Sequence, residues 1–110
     1  MISTHVLDLM SGKPAAGVLV VLARLDDHAW TIVGKARTNR DGRVKSVSGT
    51  KRLAKGIYEL SFETGAYFQK KKTKAFHPWV TITVHIDDSK ASYHVPLLLS
   101  PFGYSTYRGS

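Results

Sequence analysis

Two histidines, one arginine and a serine at the end of the sequence have the most to offer a reaction. They are His5, His94, Arg43 and Ser110, the last closing the run Tyr107-Arg108-Gly109-Ser110. A neutral imidazole, with an ordinary pKa of about 6.5, can take a proton from water near neutral pH. A guanidinium stays charged and offers its donors in one plane. It can stabilise a developing oxyanion. A serine in last place offers a hydroxyl and a carboxylate, either able to orient a histidine or an attacking water. No nucleophile–base–acid arrangement surrounds Ser110, so it is not read as a covalent nucleophile. Cysteine is absent, which removes thiolate nucleophiles, iron–sulfur clusters and disulfides. Five histidines occur, none in His-x-His, His-x3-His or His-Glu spacing. Neither a metal nor another cofactor is therefore expected. His28 precedes Trp30 in a turn and His85 lies on an outward strand face, so both read as surface or interface groups.

Positions 5, 43, 94 and 110 are remote in the chain, so only the fold can gather them. Turn signals recur at short intervals, among them Ser11-Gly12-Lys13-Pro14, Asn39-Arg40-Asp41-Gly42, Asp87-Asp88-Ser89 and Ser100-Pro101. Between them lie β-rich runs at 18–25, 30–37, 57–63, 80–86, 93–99 and 104–107. The spacing predicts an all-β fold: an antiparallel β-sandwich of seven to eight strands. One short helix is expected over 65–72, capped by Thr64 and kept from continuing by Pro78, with Tyr67 and Phe68 turned inward. Period-2 alternation puts Ser3, His5, Leu7 and Leu9 on one face of the first strand. Tyr93, Val95, Leu97 and Leu99 suit a core, so His94 points outward beside Pro96 and Leu98. An outward face that is partly apolar points to a subunit interface. The sequence also runs into Tyr107-Arg108-Gly109-Ser110 without a polar tail, which predicts a last strand carried to the end and a terminus held in place.

The remaining arithmetic bounds the setting. With 110 residues, the chain is read as one domain, 1–110. Sixteen basic residues against eight acidic give a net charge of +8. The lysines and arginines fall in two loose groups, Lys51-Arg52-Lys55 and Lys70-Lys71-Lys72-Lys74, without interleaved aromatic residues. That is a solvated basic face, or a field that steers an anionic substrate, rather than a stacking platform for nucleic acid. No apolar run approaches the ~20 residues of a membrane span, and the first residues lack the features of a signal peptide. A cytoplasmic protein without nucleic-acid or membrane partners is the expectation.

Several motifs are specific enough to resemble a known family. They are Ser3-Thr4-His5-Val6-Leu7-Asp8 with Gly12-Lys13-Pro14-Ala15, Thr38-Asn39-Arg40-Asp41-Gly42-Arg43, and Phe62-Glu63-Thr64-Gly65-Ala66-Tyr67-Phe68. Tyr93-His94-Val95-Pro96-Leu97-Leu98-Leu99-Ser100-Pro101 and the closing Tyr104-Ser105-Thr106-Tyr107-Arg108-Gly109-Ser110 complete the set. Together they resemble the 5-hydroxyisourate hydrolases, transthyretin-related enzymes of urate degradation. The final Tyr-Arg-Gly-Ser separates these from the carrier transthyretin. The resemblance implies a transthyretin-like (prealbumin-like) sandwich, assembled as a homotetramer, a dimer of dimers, with active sites between dimers. It implies catalytic roles for His5, Arg43, His94 and Ser110, and Tyr107 at the pocket floor. The implied reaction opens the ring of 5-hydroxyisourate to 2-oxo-4-hydroxy-4-carboxy-5-ureidoimidazoline. His5 would serve as base and His94 as relay, or the two with roles exchanged. Ser92 stands where many members have histidine, and Phe76-His77-Pro78-Trp79 also departs from the pattern. Two other readings remain: a carrier of small aromatic ligands of the transthyretin type, and a basic sandwich that binds nucleic acid. A peroxisomal address is the alternative to the cytoplasm, although Arg108-Gly109-Ser110 is not a Ser-Lys-Leu signal.

Overall fold

Strands that alternate apolar and polar residues bury one face each, and stacking two sheets satisfies them together. A computed structural model describes residues 1–110 and has this arrangement. Along the chain come β1 (Ile2–Asp8), β2 (Lys13–Pro14), β3 (Leu19–Asp26), β4 (Ala29–Arg37), β5 (Arg43–Val44) and β6 (Gly56–Phe62). They are followed by α1 (Thr64–Lys70), β7 (Val80–Ile86), β8 (Tyr93–Ser100) and β9 (Gly103–Thr106). One sheet has the order β2-β1-β8-β9, with β5 also paired to β1; the other is β4-β3-β6-β7. The expected sandwich is present. The extra elements are β2 and β5, two residues each, too short for any periodicity to announce. All pairings are antiparallel but one: β1 and β8 run parallel, from Ile2 opposite Tyr93 to Asp8 opposite Leu99. Such a pair joins segments far apart in sequence and needs no hairpin, so no local turn signal could reveal it.

The core lies between the sheets. Ile2 and Val6 from β1, Val20 and Leu22 from β3, Tyr58, Leu60 and Phe62 from β6, and Leu97 and Leu99 from β8 are essentially inaccessible. Each such side chain contributes roughly 1.5–3 kcal/mol of burial. The same alternation leaves Ser3, His5 and Leu7 of β1 and His94 and Leu98 of β8 half-buried on the outer surface of their sheet.

Five local expectations change. Thr64 does not cap the helix: it is the first helical residue, Glu63 holds the cap position without a side-chain bond, and the Thr64 hydroxyl donates to the His77 carbonyl at 3.3 Å. The helix also stops at Lys70, and Lys72 takes a left-handed conformation (φ 54°). Pro78 does not end the helix but packs against its start, accepting a bond from the Gly65 N–H at 3.0 Å. A Cβ on Gly65 would lie 2.8 Å from Pro78 Cα, which explains the glycine there. Phe68 is buried, and Tyr67 donates to the Asp8 carboxylate at 2.7 Å, tying α1 to the end of β1. Leu9 lies past the end of β1 in an exposed turn. Finally, β9 ends at Thr106, and the tail rejoins the sheet only at Gly109, whose N–H donates to the His94 carbonyl at 2.7 Å.

Candidate active site

The site is built on the outer surface of the sheet containing β1, β5 and β8. A turn delivers Arg43. The Asn39 side-chain carbonyl accepts the backbone N–H groups of Asp41 (2.9 Å) and Arg43 (3.0 Å). Gly42 follows with φ +73°, its carbonyl accepting the Val6 N–H at 2.8 Å, and a Cβ there would lie 2.5 Å from the Val6 carbonyl oxygen. Glycine is therefore required on two counts, backbone conformation and space. The result docks β5 onto β1 with Arg43 directly opposite His5. Residues paired in this way share a face, with Cβ atoms about 4.5–5.5 Å apart.

His5 also pairs with Pro96 of the parallel strand β8, and two residues earlier Ser3 pairs with His94. Its Oγ is 2.8 Å from Nδ1 of the His94 ring. His94 is half-buried beside the Arg43 guanidinium and the His5 imidazole. Burial, the Arg43 guanidinium and His5 together hold its pKa below the ordinary 6.5, so the ring is neutral near pH 7.

Arg43 and His94 line two adjoining recesses that also share Ser3. One, about 430 Å³, extends toward Asn39 and Lys45, and the other, about 260 Å³, toward Ser92, Gly109 and Ser110. The fold thus unites Arg43, His94 and Ser110 in one hollow, with His5 next to Arg43 on the same surface. Tyr107 is not in that hollow. It is exposed and lines a separate groove between β7 and β9 with His85, Asp87 and Arg108. No cluster of three or more metal-ligating side chains occurs anywhere in the chain. Sequence reasoning passed over Ser3 and Gly109. The first was visible as the residue two before His5 on the same face; the second could be found only by knowing that the tail lies against β8.

A family profile, HIUase/transthyretin, matches residues 2–109. A 5-hydroxyisourate hydrolase of Salmonella typhimurium is 47% identical over 110 residues, spanning 100% of this chain and 81% of that protein. This chain belongs to the HIUase/transthyretin family. Within the family, the structure of Klebsiella pneumoniae 5-hydroxyisourate hydrolase superposes with a TM-score of 0.87 at 38% identity, covering 99% of this chain and 98% of that one. Transthyretin from Sparus aurata superposes with a TM-score of 0.91 at 25% identity, covering 98% and 95%. The family fold is thus common to the hydrolases and to transthyretin, while sequence identity is higher to the hydrolases.

Proposed function

We propose that this protein is a 5-hydroxyisourate hydrolase, opening the six-membered cyclic amide ring of its substrate with a histidine-activated water. The observation that carries the reading is the meeting of Arg43 and His94 in one recess, with His5 paired to Arg43 beside it. A ligand carrier has no need of two imidazoles and a guanidinium facing a common space. The identity of 47% to a named hydrolase, against 25% to a transthyretin, supports the same choice.

The chemistry follows from the groups. His94, kept neutral by burial and by Arg43, takes a proton from water as the water oxygen bonds to the ring carbonyl carbon. Arg43 donates to the oxygen on which negative charge develops. As the carbon–nitrogen bond breaks, the proton taken by His94 passes to the departing ring nitrogen, with His5 as its relay. This assigns the base role to His94 rather than to His5. Ser110 orients the water or the substrate from the rim of the recess, and Tyr107 contributes to the wall of the assembled site. No cofactor enters this scheme.

The working unit is a homotetramer, a dimer of dimers. Ligand clefts typically enclose roughly 300–1,000 Å³ and cover most of the ligand. The recesses here are open on one side, and the surface around them carries the half-buried Leu7 and Leu98. A second copy laid on this surface closes the site. No helix is long and apolar enough to cross a membrane, and the cytoplasm is the proposed compartment. The test is an assay with freshly generated 5-hydroxyisourate. Ultraviolet decay faster than the spontaneous rate supports the proposal, and decay at the spontaneous rate refutes it.

A further inference from the structure

His94 is gripped on both sides at the root of its ring. On one flank, the Ser3 hydroxyl is 2.8 Å from Nδ1. On the other, Gly109 lies so close that a Cβ added to it would sit 2.5 Å from His94 Cδ2 and 3.2 Å from Cγ. Nδ1 and Cδ2 are the two ring atoms attached to Cγ, so both flanks next to the backbone are occupied. The opposite edge, Nε2 and Cε1, remains for the recess.

The pairing explains why a side chain cannot stand at 109. Ser3, His94 and Gly109 form one row across β1, β8 and the tail: Ser3 is paired to His94 by the parallel ladder, and Gly109 is paired to His94 by an isolated antiparallel bridge. Paired residues project to the same face. A side chain at 109 would therefore rise beside the imidazole into the space the ring fills. Gly109 does not have a positive φ, so the requirement for glycine here is space and not backbone conformation.

The tail is brought to this position by its own anchors. The Gly109 N–H donates to the His94 carbonyl at 2.7 Å. One residue earlier, the Arg108 guanidinium stacks over the Tyr93 ring at 4.6 Å. The Tyr93 hydroxyl in turn donates to the Asp87 carboxylate at 2.7 Å and accepts the Asp88 N–H at 2.9 Å. The loop after β7, the first residue of β8 and the tail are thereby linked beside His94.

We infer that Ser3 and Gly109 are positioning residues for the hydrolytic reaction, a two-sided clamp that fixes the orientation of the His94 ring and presents only its Nε2–Cε1 edge to substrate. The inference rests on the reading of His94 as catalytic. It gives the glycine of the Tyr-Arg-Gly-Ser run a definite job, and it gives one to the serine two residues before His5.

The experiment compares Ser3→Ala, Ser3→Thr, Gly109→Ala and His94→Asn. Each is measured by steady-state kinetics on 5-hydroxyisourate and by long-range ¹⁵N–¹H NMR of the histidine rings. Ser3→Ala is expected to lower kcat about tenfold, the loss of one hydrogen bond, with little change in KM. It also shifts the His94 ring resonances while leaving those of His85 unmoved. Ser3→Thr, which keeps the hydroxyl, restores both. Gly109→Ala is expected to lower kcat about 100-fold, the scale of an ångström-sized misplacement. His94 ring signals in Ser3→Ala that match those of the wild type overturn the clamp. So does an unchanged kcat in either Ser3→Ala or Gly109→Ala while His94→Asn is inactive. Full activity in His94→Asn would instead overturn the catalytic reading on which the clamp rests.

Discussion

His94 and His85 occupy corresponding places in the two sheets: each projects outward from a strand whose alternate residues fill the core. Their surroundings differ. On β8 the outward residues His94 and Leu98 are half-buried, and His94 is bonded to Ser3 and covered by Gly109. On β7 the outward Thr81, Thr83 and His85 are exposed, and the His85 ring makes no hydrogen bond. The cause lies in the neighbouring strands. β8 is interior to its sheet, between β1 and β9, and β1 carries β5 on its other edge, which brings Arg43 into range. β7 is an edge strand with one neighbour. An outward histidine becomes a candidate for chemistry when adjacent strands supply a partner for its ring and a charge to set its protonation. Strand alternation alone does not distinguish the two.

The largest test of that contrast is removal of each imidazole. His94→Asn and His5→Asn are each expected to lower kcat/KM by about 10²–10⁴-fold, the contribution of a positioned acid or base. His85→Asn should leave kcat/KM unchanged. Substantial loss in the His85 variant would erase the difference between the sheets.

Arg43→Lys is expected to reduce kcat/KM by about 100-fold, because the charge stays but the planar fork is lost. Wild-type kinetics in this variant would limit Arg43 to a general electrostatic role.

A third effect concerns structure beneath the site. Burial alone would raise the Asp8 carboxyl pKa, but bonds from the Tyr67 hydroxyl and the Ser11 and Met10 N–H groups outweigh it and leave the pKa below 3.8. A carboxylate with a depressed native pKa stabilises the fold above its unfolded pKa, and that contribution is lost as pH falls through the native value. Tyr67→Phe should therefore cost about 1.5–3 kcal/mol at neutral pH, the worth of a bond to a charged group. The deficit relative to wild type should shrink on acidification below pH 3.8, the ordinary carboxyl value. Thermal unfolding across pH measures both, and a pH-independent deficit would assign the loss to packing instead.

The smallest expected change is a titration. Arg43→Gln removes a cation facing His94, so the His94 pKa should rise toward 6.5. Histidine NMR resolves that shift.

Much of the contrast between the sheets was legible in the residues, and the limits are physical. The alternation at 93–99 gave both the buried face and the outward direction of His94, because period 2 is a local property. The Asn39-Arg40-Asp41-Gly42 signal marked the turn that presents Arg43. Which strands lie side by side is not local. The parallel register that puts Ser3 against His94 links residues 91 apart in sequence, and the two-residue strand carrying Arg43 has no pattern of its own. The gathering of His5, Arg43 and His94 was therefore available from the family resemblance, not from periodicity. The tail was read as a strand running to the end. Its actual course, a break after Thr106 and a single return at Gly109, depends on Arg108 stacking over Tyr93, which no sequence window contains. Thr64 shows the converse, a residue with the right chemistry for a helix cap that is used instead to bond the segment before β7.

The central claim is that outward residues of one sheet hydrolyse 5-hydroxyisourate. Its most direct test follows the ultraviolet decay of fresh 5-hydroxyisourate with wild type, His94→Asn and His85→Asn at equal concentration. Acceleration by wild type and by His85→Asn, with decay near the spontaneous rate for His94→Asn, is the predicted result. Decay at the spontaneous rate with all three, or equal acceleration by all three, would contradict it.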